Sequence, residues 1–153
     1  MPLARIGIGS NVGDAPANVR AAIARLAELG TVTSSSSLYR TKAWGVTEQP
    51  DFYNAAALLE TALAPYDLLR ELKRLEDELG RVTTFRWGPR VIDLDILAYD
   101  DLAMREPDLT IPHLHLHERA FALAPLAEID STFQPLLDAL TPETRAEAVR
   151  MSS

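Results

Sequence analysis

The feature that most constrains the fold is a pair of amphipathic helix patterns, each lying between stretches with strand character. From Pro65 to Leu79 the apolar residues Leu68, Leu72, Leu75 and Leu79 recur at helical spacing on one stripe, with Gly80 placed as a left-handed stop. Val19, Ala22, Ile23 and Leu26 form a second stripe, with Asp14 placed to cap it, Pro16 in its first turn and Gly30 just past its end. A one-sided helix must cover something apolar. The neighbouring segments Leu3 to Ile8, Thr31 to Tyr39, Phe52 to Leu59 and Val91 to Tyr99 supply it as strands. The order is therefore strand, helix, strand, strand, helix, strand. It predicts an α+β domain with a ferredoxin-like β-α-β-β-α-β core, in which helices cover one face of a largely antiparallel sheet. Beyond Asp100 the sequence adds a C-terminal extension: a short hairpin or loops, a helix near Glu118 to Leu126, and a weak helix between Pro135 and Ala148.

A chain of 153 residues fits one such domain, taken here as residues 1 to 153, with no internal repeat and no linker. No apolar run approaches the roughly 20 residues needed to cross a bilayer, and the amino terminus has no basic patch leading into an apolar stretch. A cytoplasmic protein without membrane partners is expected, acting as a monomer. Its formal charge of −7 argues against nucleic acid as a partner. The absence of cysteine leaves oxygen and imidazole ligands for any metal.

Chemistry concentrates around the last core strand. Period-two alternation places Ile92, Leu94, Ile96 and Ala98 on the core side, with Asp93 and Asp95 together on the other. Their Cα atoms lie roughly 6 to 7 Å apart on a strand, near enough for the carboxylates to bracket cations. Two adjacent acids on an apolar strand call for a neutralising partner, either a metal ion or arginine. Arg81, Arg86 and Arg90 stand just upstream in a stretch without any acid, and guanidinium groups pair well with phosphate oxygens. A solvated basic loop and an exposed acid pair are the plain structural alternatives.

The run Arg86-Trp87-Gly88-Pro89-Arg90-Val91-Ile92-Asp93-Leu94-Asp95-Ile96 closely resembles the signature of the hydroxymethyldihydropterin pyrophosphokinase family. Further blocks keep the family order: Ile6 to Asn11, Leu38 to Thr41, Gln49 to Ala56, Gly80 to Val82, Ile111 to His113, and Glu118 to Phe121 before Pro125-Leu126. The resemblance covers about residues 3 to 129. It implies transfer of diphosphate from ATP to 6-hydroxymethyl-7,8-dihydropterin, releasing AMP, as a step of folate biosynthesis. It further implies that Asp93 and Asp95 hold two magnesium ions and that Arg81 and Arg90 act on the phosphates as catalytic residues. Trp87, Glu76, His113 and Arg119 complete the nucleotide side. On the pterin side, Phe52 and Phe121 stack on the ring and Asn54 meets its amide edge, with Thr41, Lys42, Ala43 and Trp44 at the rim. Lys42 and Ala43 replace prolines frequent at those places in the family, and Trp44 stands where a smaller apolar residue is usual.

Other readings compete with this one. His113, His115 and His117 align on one face if their segment is a strand, which suits zinc and a hydrolase. Pro112 before them favours a turn instead. A noncatalytic ferredoxin-like regulator that binds a small ligand is the other alternative. Gly7, Gly9 and Gly13 miss the dinucleotide-binding spacing and are read as permitting a tight turn and close backbone approach.

Overall fold

The computed structural model describes residues 1–41, 50–80 and 91–151. Its core elements follow the expected order: β1 (Leu3–Ser10), α1 (Ala15–Arg25), β2 (Thr31–Ser35), β3 (Tyr39–Thr41), β4 (Phe52–Glu60), α2 (Pro65–Glu78) and β5 (Asp93–Tyr99). The extension then adds β6 (Met104–Glu106), β7 (Leu109–Ile111), α3 (Ala120–Ile129), α4 (Gln134–Asp138), α5 (Pro142–Ala146) and β8 (Val149–Arg150). Strand order in the main sheet is β5-β1-β4-β3-β8, with β2 also pairing β4, and every pairing is antiparallel. That is the split β-α-β arrangement: β4 lies between β1 and the strands that follow α1.

Alternation along the central strands builds a core on each face. Ala4, Ile6 and Ile8 of β1, Ala55, Ala57 and Leu59 of β4, and Ile92, Leu94 and Ile96 pack against Val19, Leu26, Leu68, Leu72 and Leu75. The helix stripes thus cover the sheet as their spacing demands. On the opposite face Ala56 and Leu97 pack with Leu116, Leu123 and Leu126, so the extension supplies a second layer around α3. Arg5 points to this side too, with its Nε 3.0 Å from Asp130 Oδ2 at the end of α3.

Several boundaries differ from the sequence expectation for identifiable reasons. The segment Thr31 to Tyr39 is two strands, because the Ser36 hydroxyl accepts from Ala56 N–H at 2.9 Å, where a regular ladder would use a backbone carbonyl. Ala98 does not share the face of Ile96. Between β1 and β5 the register passes from Arg5↔Ala98 to Ile6↔Ile96, leaving Leu97 as a bulge that reverses the alternation. The weak C-terminal helix is α4 and α5, separated where Thr141 caps a new helix with Pro142 at its first position.

Helix ends follow local chemistry. Asp14 Oδ1 accepts from Ala17 N–H at 3.2 Å, and Gly80 adopts φ +94° beyond α2, as the left-handed stop requires. Replacing Asp14 with alanine removes that cap and should lower stability by about 1 kcal/mol, measured by urea unfolding.

Candidate active site

Cross-strand register brings the separate sequence blocks together. Asp93 of β5 lies opposite Gly9 of β1, which lies opposite Asn54 of β4, which lies opposite Tyr39 of β3. The next row on the same face runs Asp95, Gly7, Ala56. Directly opposed residues of an antiparallel sheet share a face, so both acids and Asn54 project toward the α3 side. Phe52 joins them by alternation and pairs with Thr41. Two interstrand spacings, about 10 Å, separate the acid strand from the asparagine strand.

Glycine between them keeps that space clear. A Cβ at Gly9 would stand 2.7 Å from Asn54 Oδ1, and one at Gly7 would press on the Leu97 side chain at 3.2 Å. The crowding atoms at Gly7 and Gly9 are side chains rather than backbone, whereas Gly13 has open space and takes φ +67°, as a tight turn uses. The amide itself is oriented from behind: Asn54 is buried, and its Nδ2 donates to Thr41 Oγ1 at 3.2 Å. Asn11, also buried, donates from Nδ2 to Pro50 O at 3.2 Å and so anchors the chain just before Phe52.

Burial pushes the Asp95 carboxyl up to about 8, with the negative charges of Asp93 and Glu76 adding to it and Arg119 and Lys73 opposing. Asp95 still keeps an accessible edge. An oxygen donor pair on one strand fits a hard divalent cation. Glu76 is almost fully buried and accepts from Leu94 N–H through Oε2 at 2.7 Å. It therefore fixes the strand residue between the two acids. Lys73, one turn earlier on α2, went unremarked in the sequence; its i,i+3 spacing from Glu76 was the available signal.

The extension brings His113 and Arg119, both singled out in the sequence, close to the two acids. The bulge at Leu97 leaves its carbonyl to accept from His113 N–H at 2.9 Å. Burial, followed by the charges of Arg119 and His115, holds the His113 imidazole below its usual range, against Asp93. Arg119 stands at the N-terminal boundary of α3, without a side-chain capping bond, and its guanidinium lies 5.5 Å from the centre of the Phe121 ring in the first turn. Lys42, Ala43, Trp44, Arg81, Arg86, Trp87 and Arg90 lie outside the described residues.

The zinc alternative loses its premise. Residues 113 to 115 form a turn and Leu116–Glu118 a short 3-10 helix, so the imidazoles do not line one face of a strand. His115 is half-buried and His117 exposed, and they neighbour Glu118 at 3.3 and 3.4 Å. Among the described residues no group of three or more acid or imidazole side chains is set to hold a metal ion.

Comparison with known proteins places the chain among relatives. Residues 5–131 match the model of the 7,8-dihydro-6-hydroxymethylpterin-pyrophosphokinase (HPPK) family. The chain is 46% identical over 131 residues to a 2-amino-4-hydroxy-6-hydroxymethyldihydropteridine pyrophosphokinase of Methylorubrum extorquens, covering 84% of this chain and 83% of that one. A Bacillus subtilis protein of the same name is 41% identical over 151 residues, covering 97% and 89%. A crystal structure of Plasmodium falciparum HPPK-DHPS with pterin and p-hydroxybenzoate aligns with TM-score 0.74 and 15% identity, over 99% of this chain and 48% of the longer one. That likeness speaks for the fold, and the chain spans less than half of that protein. With the family pattern matched along most of its length, the chain belongs to the HPPK family.

Proposed function

We infer that the protein transfers diphosphate from ATP to the hydroxymethyl group of 6-hydroxymethyl-7,8-dihydropterin, giving AMP and the pterin diphosphate in folate biosynthesis. Family membership supports the reaction. The observation that carries the assignment of residues is the placement of Asp93 and Asp95 on the same face as Phe52, Asn54 and Thr41, across a floor of two glycines. A phosphate donor bound over β5 and a flat acceptor bound over β4 would then meet above β1.

In the reaction the alcohol oxygen forms a bond to the β-phosphorus, the bond from that phosphorus to the α-phosphate oxygen breaks, and the alcohol loses its proton. Asp93 and Asp95 are the residues that would hold magnesium, two ions by family resemblance. When bound, magnesium neutralises triphosphate charge and favours ionisation of the alcohol. Glu76 keeps the acid strand at fixed depth through Leu94. His113 and Arg119, beside the acids, face the nucleotide phosphates, with Arg81, Trp87 and Arg90 assigned there by family resemblance. Phe52 and Phe121 sandwich the pterin and Asn54 reads its amide edge, since an amide both donates and accepts. Lys42, Ala43 and Trp44 form the rim in the same reading.

The described residues build one main sheet with a core on each face, which supports a single catalytic domain. We take it as monomeric and cytoplasmic, where its nucleotide substrate is made. No described helix is long and apolar enough to cross a membrane. Purified protein mixed with magnesium, ATP and the pterin alcohol should release AMP and pterin diphosphate in equal amounts, followed by chromatography. AMP release that does not depend on the pterin would overturn the assignment.

A further inference from the structure

Glu128 sits one residue before the end of α3, far along the helix from Arg119 and Phe121, and no step of the reaction uses it. Both carboxylate oxygens are engaged, and every partner belongs to the opposite edge of the sheet. Oε2 accepts from Ser37 N–H at 2.9 Å and from the Ser37 hydroxyl at 3.2 Å, while Oε1 accepts from the Tyr39 hydroxyl at 2.8 Å. Arg150 of the C-terminal strand approaches Oε1 at 3.6 Å, donates to Ser37 Oγ at 3.2 Å, and lies in register with Tyr39. The next residue, Met151, donates its N–H to Leu38 O at 2.8 Å.

These contacts converge on β3. That strand is only three residues long, and it carries Thr41, whose hydroxyl orients the Asn54 amide. Tyr39 itself stands opposite Asn54 in the ladder. Glu128 therefore ties the helix that bears Phe121 to the strand that aims Asn54. We propose that Glu128, clamped by Tyr39, Ser37 and the C-terminal Arg150, is a positioning residue that sets the width of the pterin slot between α3 and β3.

A carboxylate is suited to this position because its donors exceed what a neutral amide can satisfy. Glutamine can keep the Ser37 donors only by turning its NH₂ toward the Tyr39 oxygen and Arg150, which exchanges a charge-assisted bond for a neutral one and sets a donor against the guanidinium, so that side of the clamp weakens. Loss of one such bond corresponds to roughly 2- to 10-fold in binding. The inference rests on the reading of Asn54 and Phe121 as pterin residues, and the experiment separates the two.

Steady-state kinetics of the full chain would compare Glu128→Gln, Tyr39→Phe, Asn54→Ala and Asp130→Asn. Asp130 supplies the control because it also ties α3 to the sheet, but through Arg5 of β1 rather than through β3. Glu128→Gln should raise KM for the pterin alcohol about 3- to 10-fold, with KM for ATP within about twofold. Tyr39→Phe should shift it the same way by less. Asp130→Asn should lower the melting temperature by a few degrees without moving pterin KM. If Asn54→Ala raises pterin KM while Glu128→Gln and Tyr39→Phe leave it unchanged, the clamp is only structural and the inference falls alone. An Asn54→Ala enzyme with normal pterin KM removes the site reading and the inference with it. An equal rise in Asp130→Asn also overturns it, since any loosening of α3 would then suffice.

Discussion

Exchange of Asp95 for asparagine is expected to lower AMP formation by about 10²- to 10³-fold at saturating ATP, while leaving a folded and, without metal, more stable protein. The two effects share one cause. Burial, with Asp93 and Glu76 beside it, raises the Asp95 carboxyl to about 8 from an ordinary value of 3.8. A group whose folded value is raised contributes stability that is complete below the unfolded value and is lost as pH climbs through the folded one. Metal-free wild type should thus lose stability between about pH 4 and pH 8 relative to the asparagine variant. Melting temperatures in a chelator at pH 5 and pH 8 measure this directly. Magnesium should raise the melting temperature of the wild type and have little effect on the variant. Near-normal turnover by the variant would remove Asp95 from the metal site, and a variant that melts lower at pH 8 would contradict the electrostatic account.

Alanine in place of Gly30 should destabilise the domain by about 3 kcal/mol, at the upper end of typical overpacking costs. Gly30 precedes β2, and a Cβ there would stand 2.0 Å from the Glu60 carbonyl oxygen and 3.1 Å from Thr61 Cα. The obstacle is backbone, which cannot rotate away as a side chain can. Relief requires moving β2 from β4, and Thr31↔Glu60 is the first pair of that ladder. Melting temperature should fall by about 6 to 12 °C. The end of β4 proposed to meet the pterin, at Phe52 to Asn54, is remote from Glu60, so KM for both substrates should be retained at a temperature where the variant stays folded. A melting temperature within a degree of wild type would mean that the strands do not approach so closely.

The contrast between Gly30 and Asp95 illustrates what could be read in advance. Periodicity placed Ile92, Leu94 and Ile96 on one face and the acids on the other, because a strand's alternation depends on the backbone alone. It failed at Ala98, because the bulge at Leu97 arises from pairing with β1 and has no mark in the strand's own sequence. Gly30 looked like a helix terminator, whereas its main constraint is a strand that arrives thirty residues later. The helix stripes and the Asp14 cap were legible for the same reason as the alternation: their chemistry is local.

For the site, residue types and family order named Asp93, Asp95, Asn54, Phe52, Phe121, His113 and Arg119 from the sequence. Which of them face each other was settled by register: Asp93, Gly9 and Asn54 form one row only when β1 lies between β5 and β4. Lys73 and Glu128 escaped notice because an isolated charge on a helix reads as solvated until its neighbours are known. The amino-acid sequence by itself determined the elements, their order and the chemical groups available, since those follow from spacing along the chain. Tertiary structure alone decided the bulge, the glycine floor and the link from α3 to β3, since each depends on contacts between segments far apart in sequence.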